Sequence, residues 1–162
     1  MARIQKLPKV SLMLWYDGAA EEAAKHYVKA FKDGEITDIA HYPQDSMGLA
    51  GSVMTVGFNI AGAGFTGLNA GPMFKPTEAT SIVILCDDQQ EIDFLWDHMA
   101  EGGSHSRCGW LKDRWGFSWQ ITPRRLMEIT TTGTPAQKAR AFAAMTQMDK
   151  FVVADLEKAF AD

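Results

Sequence analysis

The chain has 162 residues, of which 46% are hydrophobic and 22% charged, and its net charge is -4. This globular balance excludes long disordered regions, and the lack of a clustered basic face argues against a nucleic-acid partner. No apolar run approaches the roughly 18 residues that a membrane-spanning helix needs. The basic residues of positions 1–8 precede no signal-peptide core. We therefore expect a cytoplasmic protein with neither a nucleic-acid nor a membrane partner.

The first part of the chain predicts a strand, a helix and then three more strands. Val10 to Tyr16 is an apolar run typical of a buried strand. The following segment carries alanines and aromatic residues at helical spacing, and Asp17 is positioned to cap this helix. Extended segments follow at positions 35–42, 52–60 and 65–69, with a turn at Ala61 to Gly64 between the last two.

The pattern then restarts. Thr80 to Cys86 predicts a second buried strand, and Asp88 with Glu91 forms a capping box for a second helix. Short strands are expected at positions 104–108, 110–111 and 117–122. Asp17 and Asp87 each follow a strand and precede a helix, 70 positions apart. Because no helix separates the later strands of either half, a doubly wound parallel sheet is excluded and an α+β class is favoured.

The C-terminal segment predicts helices of its own. Thr134, Pro135 and Gln137 place a cap, an N1 proline and an N3 glutamine in order. Apolar residues then continue to Phe160. Two placements are open for this tail, against its own domain or against a partner subunit.

Several segments resemble the PhnB-like branch of the vicinal-oxygen-chelate superfamily. They are LWYDGAAEEAAKHYVKAF, LNAGP, FKPTEATS and, most specifically, CGWLKDRWGFSWQITP. The resemblance implies two βαβββ modules, residues 9–71 and 79–123, which form a cupped mixed sheet of glyoxalase/dihydroxybiphenyl dioxygenase type. Helices over residues 134–161 follow. It also implies a small-molecule pocket and often a homodimer.

Members of this branch often carry a demethylubiquinone 3-methyltransferase label, which the residues do not support. A methyltransferase of the usual class needs a glycine-rich loop between a strand and a helix. The glycines at Gly62 and Gly64 lie between two predicted strands, so a hairpin turn is the better interpretation.

Metal-dependent members of the superfamily place His or Glu ligands on the first and last strands of each module. Here those positions offer Ser11 to Met13, Thr55 to Gly57, Thr80 to Ile82 and Gln120. Hydroxyls and one amide are weak ligands. The sequence therefore predicts a site without metal or other cofactor, and only His41 and His105 remain as outside candidates for ligands.

The predicted pocket is lined by aromatic and amide side chains. Asn69 and Gln120 would orient a ligand and the aromatic rings would supply apolar walls. Strand aromatics also commonly belong to the core, and an inert buried thiol is the default interpretation of Cys108, with a reactive thiol as the alternative. The candidates are Trp15, Phe58, Asn69, Phe74, Cys108, Trp110, Trp119 and Gln120.

Three functions remain open at this stage. The first is a metal-free protein that binds a small molecule. The second is a metal-dependent glyoxalase- or dioxygenase-like enzyme. The third is a dimer built by the C-terminal helices around a vestigial pocket.

Overall fold

The computed structural model describes residues 9–46 and 49–161, which form two compact units that divide between Lys75 and Pro76. The expectation for residues 1–8 lies outside the described residues. Within these ranges, no helix is both long and apolar enough to cross a membrane.

The first unit is a four-stranded mixed sheet with one helix. Its elements are β1 (Leu12–Tyr16), α1 (Ala20–Val28), β2 (Glu35–His41), β3 (Val53–Ile60) and β4 (Ala63–Asn69). The strand order is β1-β4-β3-β2, with β1 parallel to β4 and the other neighbours antiparallel. This is one βαβββ module.

Strand alternation decides which face of this sheet α1 covers. Leu14 and Tyr16 are buried, whereas Met13, which precedes Leu14, is exposed, as a period of two requires. A Cβ on Gly67 would lie 3.0 Å from the Ala20 Cβ, so the glycine allows a close approach of helix to sheet. The core of the unit therefore lies between α1 and one face of the sheet.

The predicted turn between β3 and β4 is a two-residue hairpin. Ala61 and Gly62 both have positive φ, 48° and 76°, as a type I′ turn needs. Their N–H groups donate to the Asp33 carboxylate at 3.1 and 3.0 Å. Ala61 and Gly62 thus connect the two strands in a hairpin, as the sequence predicted, whereas Gly64 of the predicted turn belongs to β4.

The cap of α1 differs from the expectation. Asp17 does not cap the helix; its N-cap residue is Ala19, which makes no side-chain cap hydrogen bond. Instead, the Ala20 N–H donates to Asn69 Oδ1 at 2.9 Å, 49 positions away in the sequence. Asn69, at the end of β4, therefore supplies the hydrogen-bond acceptor that was expected from Asp17.

The second unit repeats the module and adds three helices. Its elements are β5 (Ser81–Cys86), α2 (Gln89–Met99), β6 (Ser104–His105), β7 (Trp110–Lys112), β8 (Ser118–Pro123), α3 (Arg124–Thr132), α4 (Pro135–Met145) and α5 (Val153–Ala161). The strand order is β5-β8-β7-β6, with β5 parallel to β8. Capping by Asp88 and by Thr134 with Gln137 is confirmed.

The C-terminal helices pack on their own unit. Phe151 is buried with Leu126 and Leu156. The Cys108 and Gly109 N–H groups donate to the carbonyls of Met148 and Asp149 at 2.8 and 2.7 Å. The tail therefore fixes the chain that leads into β7.

Helix α3 was not predicted. Its sequence RRLMEITTT ends in three threonines, which favour helices weakly. Tertiary contacts stabilise it instead, through buried Leu126 and Ile129 and through the ion pair of Arg125 with Glu157 on α5.

Candidate functional site

A row of polar side chains crosses the sheet of the second unit. Ser104 pairs with Lys112, Lys112 with Ser118, and Ser118 with Ser81. Directly paired residues share a sheet face, so three hydroxyls and one ammonium lie side by side. We refer to the sheet face that carries this row as the open face. Buried Ile84, Leu111 and Trp119 alternate with its residues and occupy the face toward α2.

The next row of the open face carries the two predicted pocket residues of this unit. Trp110 pairs with Gln120, which in turn pairs with Val83. The Gln120 amide donates from Nε2 to Ser81 Oγ at 2.7 Å. The structure therefore brings Trp110 and Gln120 together and holds the amide against the polar row.

A cavity of about 290 Å³ lies at the edge of this face. Trp110 supplies its apolar wall, and buried Leu111 also borders it. Its polar lining consists of Glu78, Ser104, His105, Ser106, Lys112 and Ser118. This volume is at the lower end of the range for small-molecule sites.

Ser118 is the unusual residue of this cavity. It is only 3% exposed, and its Oγ has no hydrogen-bond partner among the described residues. Buried hydroxyls almost always have a partner, because leaving one unpaired costs free energy. A ligand or water bound in the cavity would supply it.

Lys112 and Glu78 form an ion pair at the same place. Both side chains are partly exposed. The Lys112 ammonium donates to the Glu78 carboxylate and thereby lowers the pKa of that carboxyl below its ordinary value. The charge of Lys112 is therefore balanced from within the unit.

The two histidines proposed as outside metal ligands have different surroundings. The His105 ring stacks on Trp96 with centroids 4.4 Å apart, and its Nε2 lies 3.1 Å from the Trp96 carbonyl oxygen. Because a carbonyl only accepts, Nε2 carries a proton there. His41 is exposed at the end of β2. Within residues 9–46 and 49–161, no three His, Cys, Asp or Glu side chains cluster closely enough to hold a metal ion.

The predicted pocket residues of the first unit have structural partners. Trp15 Nε1 donates to the Gly71 carbonyl at 2.7 Å, and the Trp15 ring meets Phe74 edge-on at 4.9 Å. Asn69 accepts from Ala20 N and donates to the Val53 carbonyl at 3.0 Å. A cavity of about 390 Å³ adjoins Asn69 and Gly71. Asn69 thus joins three segments of the chain and has little capacity left to orient a ligand.

Two predicted pocket residues belong to the cores instead. Phe58 is 1% exposed and stacks on Phe65 at 5.1 Å, on the face that α1 covers. Trp119 is fully buried, and its Nε1 donates to Asp113 Oδ2 at 2.8 Å. Each lies two residues from another buried residue of its own strand, so both side chains point to the sheet face that a helix covers. We therefore remove Phe58 and Trp119 from the candidate pocket residues.

Cys108 lies apart from the cavity. It packs against Met145 and Met148 of the tail, and its φ is 55°, which is rare for a residue other than glycine. Of the residues that line the cavity, only Trp110 and His105 were candidates, and the sequence reasoning missed Glu78, Ser104, Ser106, Leu111, Lys112 and Ser118. The alternation Trp110-x-Lys112 and Ser118-x-Gln120 would have indicated shared faces, but only the strand register shows that they adjoin.

The two cysteines should differ in reactivity. Burial, together with the nearby carboxylates of Glu91, Asp87 and Asp88, raises the pKa of the Cys86 thiol to about 12. We expect iodoacetamide at about pH 8.5 to label half-buried Cys108 and to leave Cys86 unlabelled until denaturant is added. Mass mapping of the labelled peptides measures this. Rapid native labelling of Cys86 would contradict it.

The raised pKa of Cys86 also makes the free energy of unfolding depend on pH in the alkaline range. Both states hold the Cys86 proton well below the ordinary value of 9.0. Between that value and about 12 the unfolded state loses the proton while the folded state retains it. The free energy of unfolding should therefore fall across this window, and less so in Cys86→Ala.

Two units of β-α-β-β-β order, each with its first and last strands parallel, define a vicinal-oxygen-chelate fold. The α+β class and the C-terminal helices predicted from the sequence are confirmed. The chain belongs to the 3-demethylubiquinone-9 3-methyltransferase family, whose model matches residues 8–122. The PhnB-like assignment made from the sequence is thereby confirmed, and helices α3 to α5 follow the matched region.

Several solved structures are also similar to this chain. A Bacillus cereus PhnB protein, described as a candidate 3-demethylubiquinone-9 3-methyltransferase, is 30% identical with a TM-score of 0.66, covering 72% of this chain and 99% of that chain. Protein PA1353 from Pseudomonas aeruginosa is 21% identical with a TM-score of 0.57, over 72% and 97%. The fosfomycin resistance protein FosX from Mesorhizobium loti shares the fold at 12% identity and a TM-score of 0.50, over 82% and 96%. A comparison with curated protein sequences finds no match.

Proposed function

We propose that this protein binds a small organic molecule in the cavity beside the open face of its second unit, and that it does so without a metal ion. The observation that carries the proposal is the buried, unpartnered Ser118 hydroxyl in a cavity walled by Trp110. An apolar wall combined with a few convergent polar groups is the usual composition of a small-molecule site.

The side chains available as metal ligands on the open face favour binding without a metal ion. A divalent cation in this superfamily would need carboxylate or imidazole ligands on the first and last strands of each module. The open face of β5 and β8 carries Ser81, Val83, Ser118 and Gln120 instead. Neutral hydroxyls and an amide compete poorly with water for such a cation.

The binding proposal can be tested on the indole N–H signals of the protein. The chain has five tryptophans, so a nitrogen–proton NMR spectrum has five indole signals, which Trp→Phe variants assign. We expect members of a library of small aromatic compounds to shift the Trp110 signal and to leave that of Trp15, which belongs to the first unit, in place. Trp110→Phe should remove the response, whereas Trp15→Phe should retain it. A library in which no compound shifts the Trp110 signal would refute the proposal.

We also propose that the chain forms a homodimer in the cytoplasm, following the resemblance to PhnB-like proteins. Native mass spectrometry of protein purified without chelator tests this together with the metal question. We expect twice the chain mass of 17.9 kDa and no metal adduct. A stoichiometric divalent-metal adduct would instead favour the glyoxalase- or dioxygenase-like enzyme, and His41 and His105 would be the first residues to replace.

A further inference from the structure

The polar row of the second unit narrows the class of ligand, on the assumption that the proposed binding site is correct. Ser104, Lys112, Ser118 and Ser81 lie side by side on the open face. Ser81 Oγ accepts the Gln120 amide proton, which leaves its own O–H free to donate. Ser104, Lys112 and Ser118 of this row line the cavity, so the row can offer two hydroxyl protons and the ammonium protons of Lys112 to a ligand there.

The single ammonium of the row can hold one carboxylate at a time, which favours a ligand with one negative charge over a dianion. Lys112 is the one cation among the residues that line the cavity within the described chain, and it already holds the carboxylate of Glu78. That contact shows that the ammonium accommodates a carboxylate from the cavity side. A dianionic group would place excess negative charge beside Glu78.

We infer that the cavity binds the carboxylate group of a small aromatic acid, with its oxygens on Lys112 and Ser118 and its ring against Trp110. Glu78 then acts as an internal competitor, which holds Lys112 when the site is empty and releases it when the ligand carboxylate arrives. Ser118 gains the partner that it lacks in the structure. Hydrogen bonds between a hydroxyl or ammonium donor and a carboxylate are stronger than those between neutral groups.

The test compares benzoate with benzamide, which has the same ring and shape but no charge. Inorganic phosphate is the third probe, and sodium chloride keeps the ionic strength constant, because salt screens an exposed ion pair. Titrations follow the Trp110 indole signal and the backbone amides of β7 and β8. We expect benzoate to bind at least about tenfold more tightly than benzamide, and phosphate to bind more weakly than benzoate.

Three variants assign the effect to named groups. Lys112→Met keeps the aliphatic stem and should weaken benzoate binding at least about tenfold while leaving benzamide unchanged. Ser118→Ala should weaken benzoate binding roughly three- to tenfold. Its melting temperature should be unchanged or higher, because the variant removes an unpartnered buried hydroxyl. Glu78→Gln removes the competitor and should tighten benzoate binding by up to about fivefold, the factor that an exposed ion pair contributes.

The outcomes separate this inference from the proposed function. If benzamide binds as tightly as benzoate and both shift Trp110, the site stands but the preference for a carboxylate is wrong. Tighter binding of phosphate than of benzoate also overturns the inference. So does a Glu78→Gln variant with weaker benzoate binding, because Glu78 would then be a binding group and not a competitor.

Discussion

Replacing Asp113 by alanine is expected to reduce the free energy of unfolding by about 3 kcal/mol or more. Asp113 is buried and lies in the turn between β7 and β8. Its Oδ1 accepts the N–H groups of Trp115 and Phe117 at 2.9 and 3.0 Å, and its Oδ2 accepts the Trp119 indole N–H at 2.8 Å. Alanine would leave these donors without the carboxylate, and each unpaired buried donor costs about 1 kcal/mol or more. Urea unfolding followed by tryptophan fluorescence measures the loss.

A double-mutant cycle isolates the contact between Asp113 and Trp119. Asp113→Asn keeps the shape, but it puts an amide N–H₂ group opposite the indole N–H, so two donors face each other. In a Trp119→Phe background that conflict is absent, and Asp113→Asn should cost about 1 kcal/mol less than in the native chain. Exposed Asp97→Ala serves as the control and should change stability little. Equal costs in both backgrounds would show that the indole contact contributes nothing.

The Asp113 turn also shows what limited the prediction of the site. The motif CGWLKDRWGFSWQITP identified the family and the strands, because apolar alternation and glycine turns are local signals. The role of Asp113 depends on three donors from the following six residues, which converge only when the turn has closed. The sequence could therefore indicate that this motif is characteristic of the family, but it could not indicate that Asp113 accepts the hydrogen bonds that hold its turn together.

Long-range partners explain the other differences. Asn69 caps α1 across 49 positions, so the cap was assigned to the nearer Asp17. The strand carrying Ser118 was predicted, but Lys112 was placed in the turn after positions 110–111, whereas it ends β7. The register of the two strands was not predicted, and register decides which side chains adjoin. Phe58 and Trp119 were assigned to the pocket by residue type, although alternation along their strands places them with the buried residues.

The second large effect is expected at Gly109, where the C-terminal tail meets the sheet. Gly109 has φ of 76°, and a Cβ there would lie 2.5 Å from a ring carbon of Phe151 and 2.6 Å from the carbonyl oxygen of Ile121. The Phe151 ring is buried, and the Ile121 backbone is held because its N–H donates to the Gly109 carbonyl at 2.8 Å. Neither group can move away cheaply. We expect Gly109→Ala to cost about 4 kcal/mol or more and to detach the tail from β7.

A matched glycine separates this steric effect from backbone strain. Gly116 in the same unit has φ of 90°, but a Cβ there would meet only Pro76, at an ordinary 3.9 Å. Gly116→Ala should therefore cost only the strain of a positive φ, about 1–2 kcal/mol. Urea unfolding compares the two variants, and limited proteolysis of residues 134–161 reports whether the tail has detached. Equal losses in the two variants would mean that strain alone acts at Gly109. A much larger loss in Gly109→Ala, with early cleavage of the tail, would show that the contact with Phe151 couples the C-terminal helices to the strand that carries Trp110.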